Sequence, residues 1–196
     1  MGCMGHHGHR KGAPSSFFMH DSKLVFKKLG LKEGDVFLDL GCGKGDYSLA
    51  AAEAVGRAGT VYALDIQQEF IENLKSETAS RKLANVITIR HDIRLPIPVS
   101  DDSIDVVFIS TVLHMFRSTG TGSYENLFDE IRRILKPGGQ LAIIECKKEV
   151  TPFGPPIEMR ISPEELESEL NPMGFGKSGL VDLDRNYLIQ FCNQRS

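Results

Sequence analysis

No stretch of this 196-residue chain stays apolar for the roughly 18 residues a membrane helix needs, and the N-terminus lacks the apolar core of a secretory leader. The expectation is a cytoplasmic protein with no membrane partner. Positive charge is not in excess either. The 23 Lys and Arg against 26 Asp and Glu leave a net charge of −3, so nucleic acid finds no global electrostatic footprint. Cysteine is scarce: Cys3, Cys42, Cys146 and Cys192 show no close pairing, which points to reduced thiols rather than a disulfide framework. What is present, 41% hydrophobic and 25% charged residues, is ordinary for one globular domain with a proper core.

The chain is organised around the run from Val36 to Asp46, where an apolar segment ends in Asp39 and breaks into Gly41, Gly43 and Gly45. It reads as a strand, a glycine turn and a helix, since Tyr47 to Ala52 favours helix. Glycine is needed where the backbone turns sharply and where a ligand must come close, because a β-carbon would clash with both. Charge then narrows the ligand. Asp39 and Asp46 flank the turn and would repel a pyrophosphate at the helix start. The spacing Gly41-x-Gly43-x-Gly45 also lacks the extra residue of the dinucleotide pattern. A positively charged, phosphate-free nucleoside fits better, with a ligand-free turn as the alternative. A second buried strand, Thr60 to Asp65, also ends in a carboxylate. Asp65 lies 24 positions past Gly41, near the roughly 20 expected of a side chain that accepts from both ribose hydroxyls. Ile66 beside it can pack on adenine. NAD sites share this feature, so Asp65 argues for adenosine without choosing between ligands.

The stretch from Val36 to Asp46 resembles motif I of the class I, seven-strand S-adenosylmethionine-dependent methyltransferases. Leu135-Lys136-Pro137-Gly138-Gly139-Gln140-Leu141 is similar to that family's turn before its fifth strand. The likeness spans roughly residues 24–193, and the chain looks most like the small ubiquinone/menaquinone C-methyltransferase-type proteins. The resemblance implies S-adenosylmethionine as cofactor, with Asp39 and the backbone of Gly41, Cys42, Gly43 and Gly45 holding its methionine end. It also implies that Asp92, followed by Ile93, accepts from the adenine amino group. Residues 1–21 would form a flexible arm or lid and residues 22–196 the methyltransferase domain. Phe17, Phe18 and His20 would then wall the acceptor pocket, unless this segment simply packs on the sheet.

Taken in order, the arm carries Cys3, His6, His7 and His9, with His20 after them. Their spacing matches none of the usual zinc patterns, so no metal site is expected. A short amphipathic helix starts at Ser22 and stops at Gly30. Phe70, Ile71 and Leu74 mark a helix through about Lys82, and Val86 to Arg90 is a third strand. Ile104 to Ser110 is a fourth, whose C-terminal edge brings Ser110, Thr111 and His114 near the transferred group. Ser118 to Ser123 reads as a loop at the pocket mouth. Leu127, Phe128, Ile131, Ile134 and Leu135 share one helix face, Pro137-Gly138-Gly139 stops that helix, and Leu141 to Cys146 is the fifth strand. Ser162-Pro163-Glu164-Glu165 opens a helix through a capping box. Lys177 to Leu183 and Tyr187 to Cys192 are two strands joined too closely to be anything but antiparallel. The fold class is α/β: a doubly wound, mostly parallel seven-stranded sheet, helices on both faces, and a C-terminal antiparallel hairpin.

The expected function is methyl transfer from S-adenosylmethionine to a small-molecule acceptor by direct displacement, with His114 as the one candidate general base. Three alternatives stand beside it. An arsenite or other soft-acceptor enzyme would use Cys146 at a strand end, a cofactor-binding protein would have no chemistry, and Asp39 and Asp46 disfavour a nicotinamide oxidoreductase.

Overall fold

The computed structural model describes residues 15–117, 123–151 and 154–195. Its seven strands are β1 (Val36–Leu40), β2 (Thr60–Asp65), β3 (Val86–Arg90), β4 (Ile104–Ser110), β5 (Leu135–Cys146), β6 (Phe175–Leu183) and β7 (Asn186–Asn193), in the spatial order β3-β2-β1-β4-β5-β7-β6. β7 runs antiparallel to both its neighbours and the other pairings are parallel. Strand order reverses between β1 and β4. In an open α/β sheet that reversal splays the following loops apart, and the crevice between them receives ligand.

Among the described residues six α-helices flank the sheet: α1 (Ser22–Leu29), α2 (Asp46–Val55), α3 (Gln68–Ser80), α4 (His114–Arg117), α5 (Ser123–Ile134) and α6 (Pro163–Leu170). Alternation along the strands sends side chains to opposite faces. Leu38, Val107, Ile109, Leu141, Ile143 and Ile189 pack under α5 and α6, against Phe128, Ile131, Leu166 and Leu170. Phe37, Phe108, Ala142, Ile144 and Leu188 meet Val25 and Leu29 of α1 and Tyr47, Ala51 and Val55 of α2. α1 begins where the Asp21 carboxylate accepts from the backbone N–H groups of Lys23 and Leu24 and ends at Gly30 in the left-handed region. Such an N-cap stabilises by about 1 kcal/mol.

Besides one- and two-residue extensions of β6 and β7, the elements depart from the sequence expectation as follows. β5 starts at Leu135 rather than Leu141, because Leu135 pairs with Ile104 before the ladder shifts register and resumes at Gln140 opposite Val106. Pro137-Gly138-Gly139 is thus an irregularity inside the strand, not the end of a helix. α3 stops two residues early, with Lys82 left-handed at φ 58° and the Leu83 N–H donating back to the Thr78 carbonyl. α4 has no counterpart in the sequence expectation. Ser118 to Ser123, read as a pocket-mouth loop, falls largely outside the described residues, Ser123 itself opening α5. The arm residues Cys3, His6, His7 and His9 lie outside them too.

Candidate active site

The loop after β1 explains its glycines one at a time. A β-carbon on Gly41 would sit 2.6 Å from Val112 Cγ2, and one on Gly45 would collide with Leu74, so these two let the loop press against the turn after β4 and against α3. Gly43 differs. It is left-handed at φ +53°, yet a β-carbon there would meet nothing within 4 Å. Its bare face is open space beside the switch point, which is where a bound molecule can touch backbone.

Three carboxylates surround that opening. Asp39, at the centre of the sheet between Ala63 and Phe108, is 2% exposed and accepts a 2.6 Å hydrogen bond from the Ser48 hydroxyl. Burial, reinforced by the charges of Asp65 and Asp46, pushes its carboxyl from 3.8 up to about 7, against the lowering effect of Ser48. Asp46 opens α2, and its Oδ2 is buried with no hydrogen-bond partner among the described residues. Asp65 is buried at the end of β2, where Oδ2 accepts from the Gly43 N–H at 2.9 Å and Oδ1 from the Gln67 N–H at 2.8 Å. A carboxylate has about four acceptor positions, so both Asp65 oxygens keep room for ribose hydroxyls. Ile66 next to it is 50% exposed, a large apolar side chain standing at the ligand edge.

Asp92 follows β3 in the adjoining position but is already occupied. Arg94 grips it through Nε at 2.9 and 3.1 Å and Nη2 at 2.5 Å, and the Arg94 N–H also donates to it. The Arg94 guanidinium holds the Asp92 carboxyl below its usual value. Ile93 beside it is half-buried against the core. The Cys42 thiol lies within the glycine loop, and burial raises it well above the ordinary thiol range.

On the other side of the crevice, Ser110 ends β4 and shares a 2.8 Å hydrogen bond with the Ser16 hydroxyl. The phenol of Tyr47 lies 2.5 Å from His20 Nε2, and burial pushes its pKa up against a lowering effect of the Ser110 and Ser16 hydroxyls. Phe17 packs edge-on against the Tyr47 ring. Segment 15–20 is therefore tied to both β4 and α2. Phe17 and His20 belong to that contact, whereas Phe18 is 72% exposed. Thr111 is left-handed at φ 55°, a strained value for a β-branched residue. It turns the chain towards His114, the first residue of α4. The His114 ring lies 3.1 and 3.3 Å from the two oxygens of Glu145, and its backbone N–H reaches the same carboxylate at 3.3 Å.

Sequence reasoning passes over Glu145, Tyr47 and Ser48. Glu145 carries the signal that flags Asp39 and Asp65, a carboxylate near the C-terminal end of a buried strand. Among the described residues, no cluster of three or more His, Cys, Asp or Glu side chains is arranged to hold a metal.

The chain is similar to known proteins in sequence and in fold. Residues 31–173 match a family described as a methyltransferase domain. Demethylmenaquinone methyltransferase of Lactobacillus johnsonii is 33% identical over 131 residues, 67% of this chain and 52% of that protein. The Staphylococcus aureus protein of the same name is 32% identical over 130 residues, 66% of this chain and 51% of its own. The chain thus spans about half the length of the curated relatives it matches. A solved S-adenosylmethionine-dependent methyltransferase from Aquifex aeolicus superposes with TM-score 0.81 at 30% identity, covering 92% of this chain and 94% of that one. The [4+2]-cyclase SpnF shares the fold at TM-score 0.74 and 19% identity, over 89% of this chain and 80% of its own.

Proposed function

From the chain's membership of the class I S-adenosylmethionine-dependent methyltransferase family, we propose that it moves a methyl group from S-adenosylmethionine to a small-molecule acceptor by direct displacement. The observation that carries this reading is the open, left-handed Gly43 held by Asp65 at the sheet's switch point, with Asp39 and Asp46 close enough for the three carboxylates to feel one another's charge. Clustered carboxylates repel phosphate and favour a cation, and an unpartnered Asp46 oxygen beside a glycine opening suits a ligand with an ammonium and a sulfonium.

In this reading Asp65 takes the ribose hydroxyls, and Ile66 and Ile93 bound the adenine. Asp92, sharing its charge with Arg94, accepts from the adenine amino group. Gly41, Cys42, Gly43 and Gly45 present backbone to the methionine end, where Asp39 and Asp46 supply the compensating charge. At 2% exposure Asp39 acts through its field rather than by offering an open face. When bound, S-adenosylmethionine supplies a methyl carbon made electrophilic by the positive sulfur. The protein's part is to align the acceptor behind that carbon and exclude water, with Ser110 and His114 nearest the reacting end. Residues 15–21 serve as the lid over the domain that follows. A soft, thiolate-assisted acceptor is disfavoured because burial pushes the Cys146 thiol up to about 11, leaving it protonated. Cytoplasmic residence belongs to the same proposal, on the free thiols of Cys42, Cys146 and Cys192. No helix among the described residues is long and apolar enough to cross a membrane.

Calorimetry with S-adenosylmethionine against NADH tests the cofactor. Release of S-adenosylhomocysteine with a reduced naphthoquinone, a catechol or a thiol then tests transfer. Micromolar binding of S-adenosylmethionine and none of NADH is expected, and the reverse order sinks the reading. Binding with no turnover on any acceptor selects the non-catalytic alternative.

A further inference from the structure

Glu145 is 0% exposed, on the face of β5 that meets α4, and a carboxylate taken wholly out of water needs strong compensation. Among the described residues the His114 ring faces it at 3.1 Å, and the His114 and Cys146 backbone N–H groups each add a bond at 3.3 Å. Tyr187 stands directly across from it on β7 but gives its phenol hydrogen to the Ile161 carbonyl at 2.6 Å. A carboxylate facing Nδ1 requires a hydrogen there, so the neutral imidazole must leave Nε2 bare. Nothing among the described residues is hydrogen-bonded to Nε2, and His114 lies just past the end of β4 at the ligand edge.

Resting on the methyltransferase reading, we propose that Glu145 is a positioning residue that holds His114 as a general base, and that the acceptor is one that must lose a proton: a hydroxyl or an activated C–H. The acceptor's hydrogen passes to His114 Nε2, and the electron pair of the broken O–H or C–H bond forms the new bond to the methyl carbon. The carbon–sulfur pair leaves with sulfur as a neutral thioether. His114, now a cation held against the Glu145 anion, returns the proton to solvent. A thiolate or arsenite acceptor would have no use for this pair, whose buried carboxylate the fold must otherwise carry at a cost.

The test uses the full chain. Nitrogen-15 spectra of the ligand-free protein should show His114 protonated at Nδ1. Glu145→Gln, whose amide can also donate, should populate the other tautomer. His114 protonated at Nε2 in the wild type, or a tautomer ratio unmoved by Glu145→Gln, overturns the pairing. For transfer, a catechol and a reduced naphthoquinone probe proton-bearing acceptors, while dithiothreitol and arsenite probe soft ones. His114→Gln should lower kcat on the first pair by about 10²–10⁴-fold, and Glu145→Gln by a smaller factor, with S-adenosylmethionine affinity within threefold of wild type. Soft acceptors methylated equally by wild type and His114→Gln, with the first pair inert, overturn the substrate assignment. If the wild type does not bind S-adenosylmethionine, the parent reading has failed and the substrate class falls with it. Intact binding with an unmoved tautomer ratio removes the dyad alone.

Discussion

Replacing Asp39 with Asn separates stability from ligand binding. The native Asp39 carboxyl lies at about 7 and its ordinary value is 3.8, so the native protein keeps a proton that the unfolded chain gives up. Such a group costs stability from near pH 4 upwards, with the cost growing until pH 7 and constant above it. At about 1.4 kcal/mol per pH unit the full penalty approaches about 4 kcal/mol, of which roughly 2–3 kcal/mol develops between pH 5 and 8. Asn is isosteric and can still accept from the Ser48 hydroxyl, but its amide hydrogens need acceptors at a cost of about 1–3 kcal/mol. That cost is independent of pH. The melting temperature of Asp39→Asn minus that of wild type, without ligand, should therefore widen by about 5–10 °C from pH 5 to pH 8, at 2–4 °C per kcal/mol for a chain of this size. Parallel melting curves across that range refute the buried, charge-repelled carboxyl. The same field should favour a cationic ligand. Wild-type S-adenosylmethionine binding should release protons near pH 7 and weaken as pH falls below 7, seen as a buffer-dependent calorimetric enthalpy. Asp39→Asn should abolish that release.

Asp65→Ala is expected to lower S-adenosylmethionine affinity at least tenfold by calorimetry, and wild-type affinity would remove the ribose assignment. Gly43→Ala meets no protein atom, so its folding cost should stay near the 1 kcal/mol of a left-handed alanine while binding falls tenfold or more. Gly41 is left-handed as well, at φ +76°, so Gly41→Ala adds to the same strain a clash with Val112 and should cost about 1–3 kcal/mol more than Gly43→Ala in chemical denaturation. Equal behaviour of the two glycine variants would refute the distinction between packing and ligand access. Tyr47→Phe removes the hydroxyl that meets the His20 ring. It should cost about 1 kcal/mol and speed proteolysis within 15–20, whereas unchanged cleavage would show that the hydroxyl does not hold the segment.

Much of this protein is legible in the order of its residues. Strand periodicity, the glycine turn and carboxylates at the ends of β1 and β2 are local signals, so the sheet, its reversed strand and the elements bearing Asp39 and Asp65 follow from residues close in sequence. The LKPGG turn is recognisable, but its place inside β5 is not, because Leu135 becomes strand by pairing with Ile104 on another element. Asp92 belongs with the local features too. Arg94, two residues on, is its visible partner.

What folding alone decides are relations between distant residues. Sequence names His114 but cannot supply Glu145, which lies 31 positions away and meets it because β4 and β5 are neighbours. It places Asp39 beside the glycines without revealing that the central strand buries the carboxylate among two others. It cannot say that one glycine faces open space while its neighbours fill contacts with Val112 and Leu74. Backbone preference and periodicity act over a few residues and are written in order along the chain. Desolvation, charge repulsion and hydrogen-bond partnership depend on distance in space, which exists only once the sheet has closed.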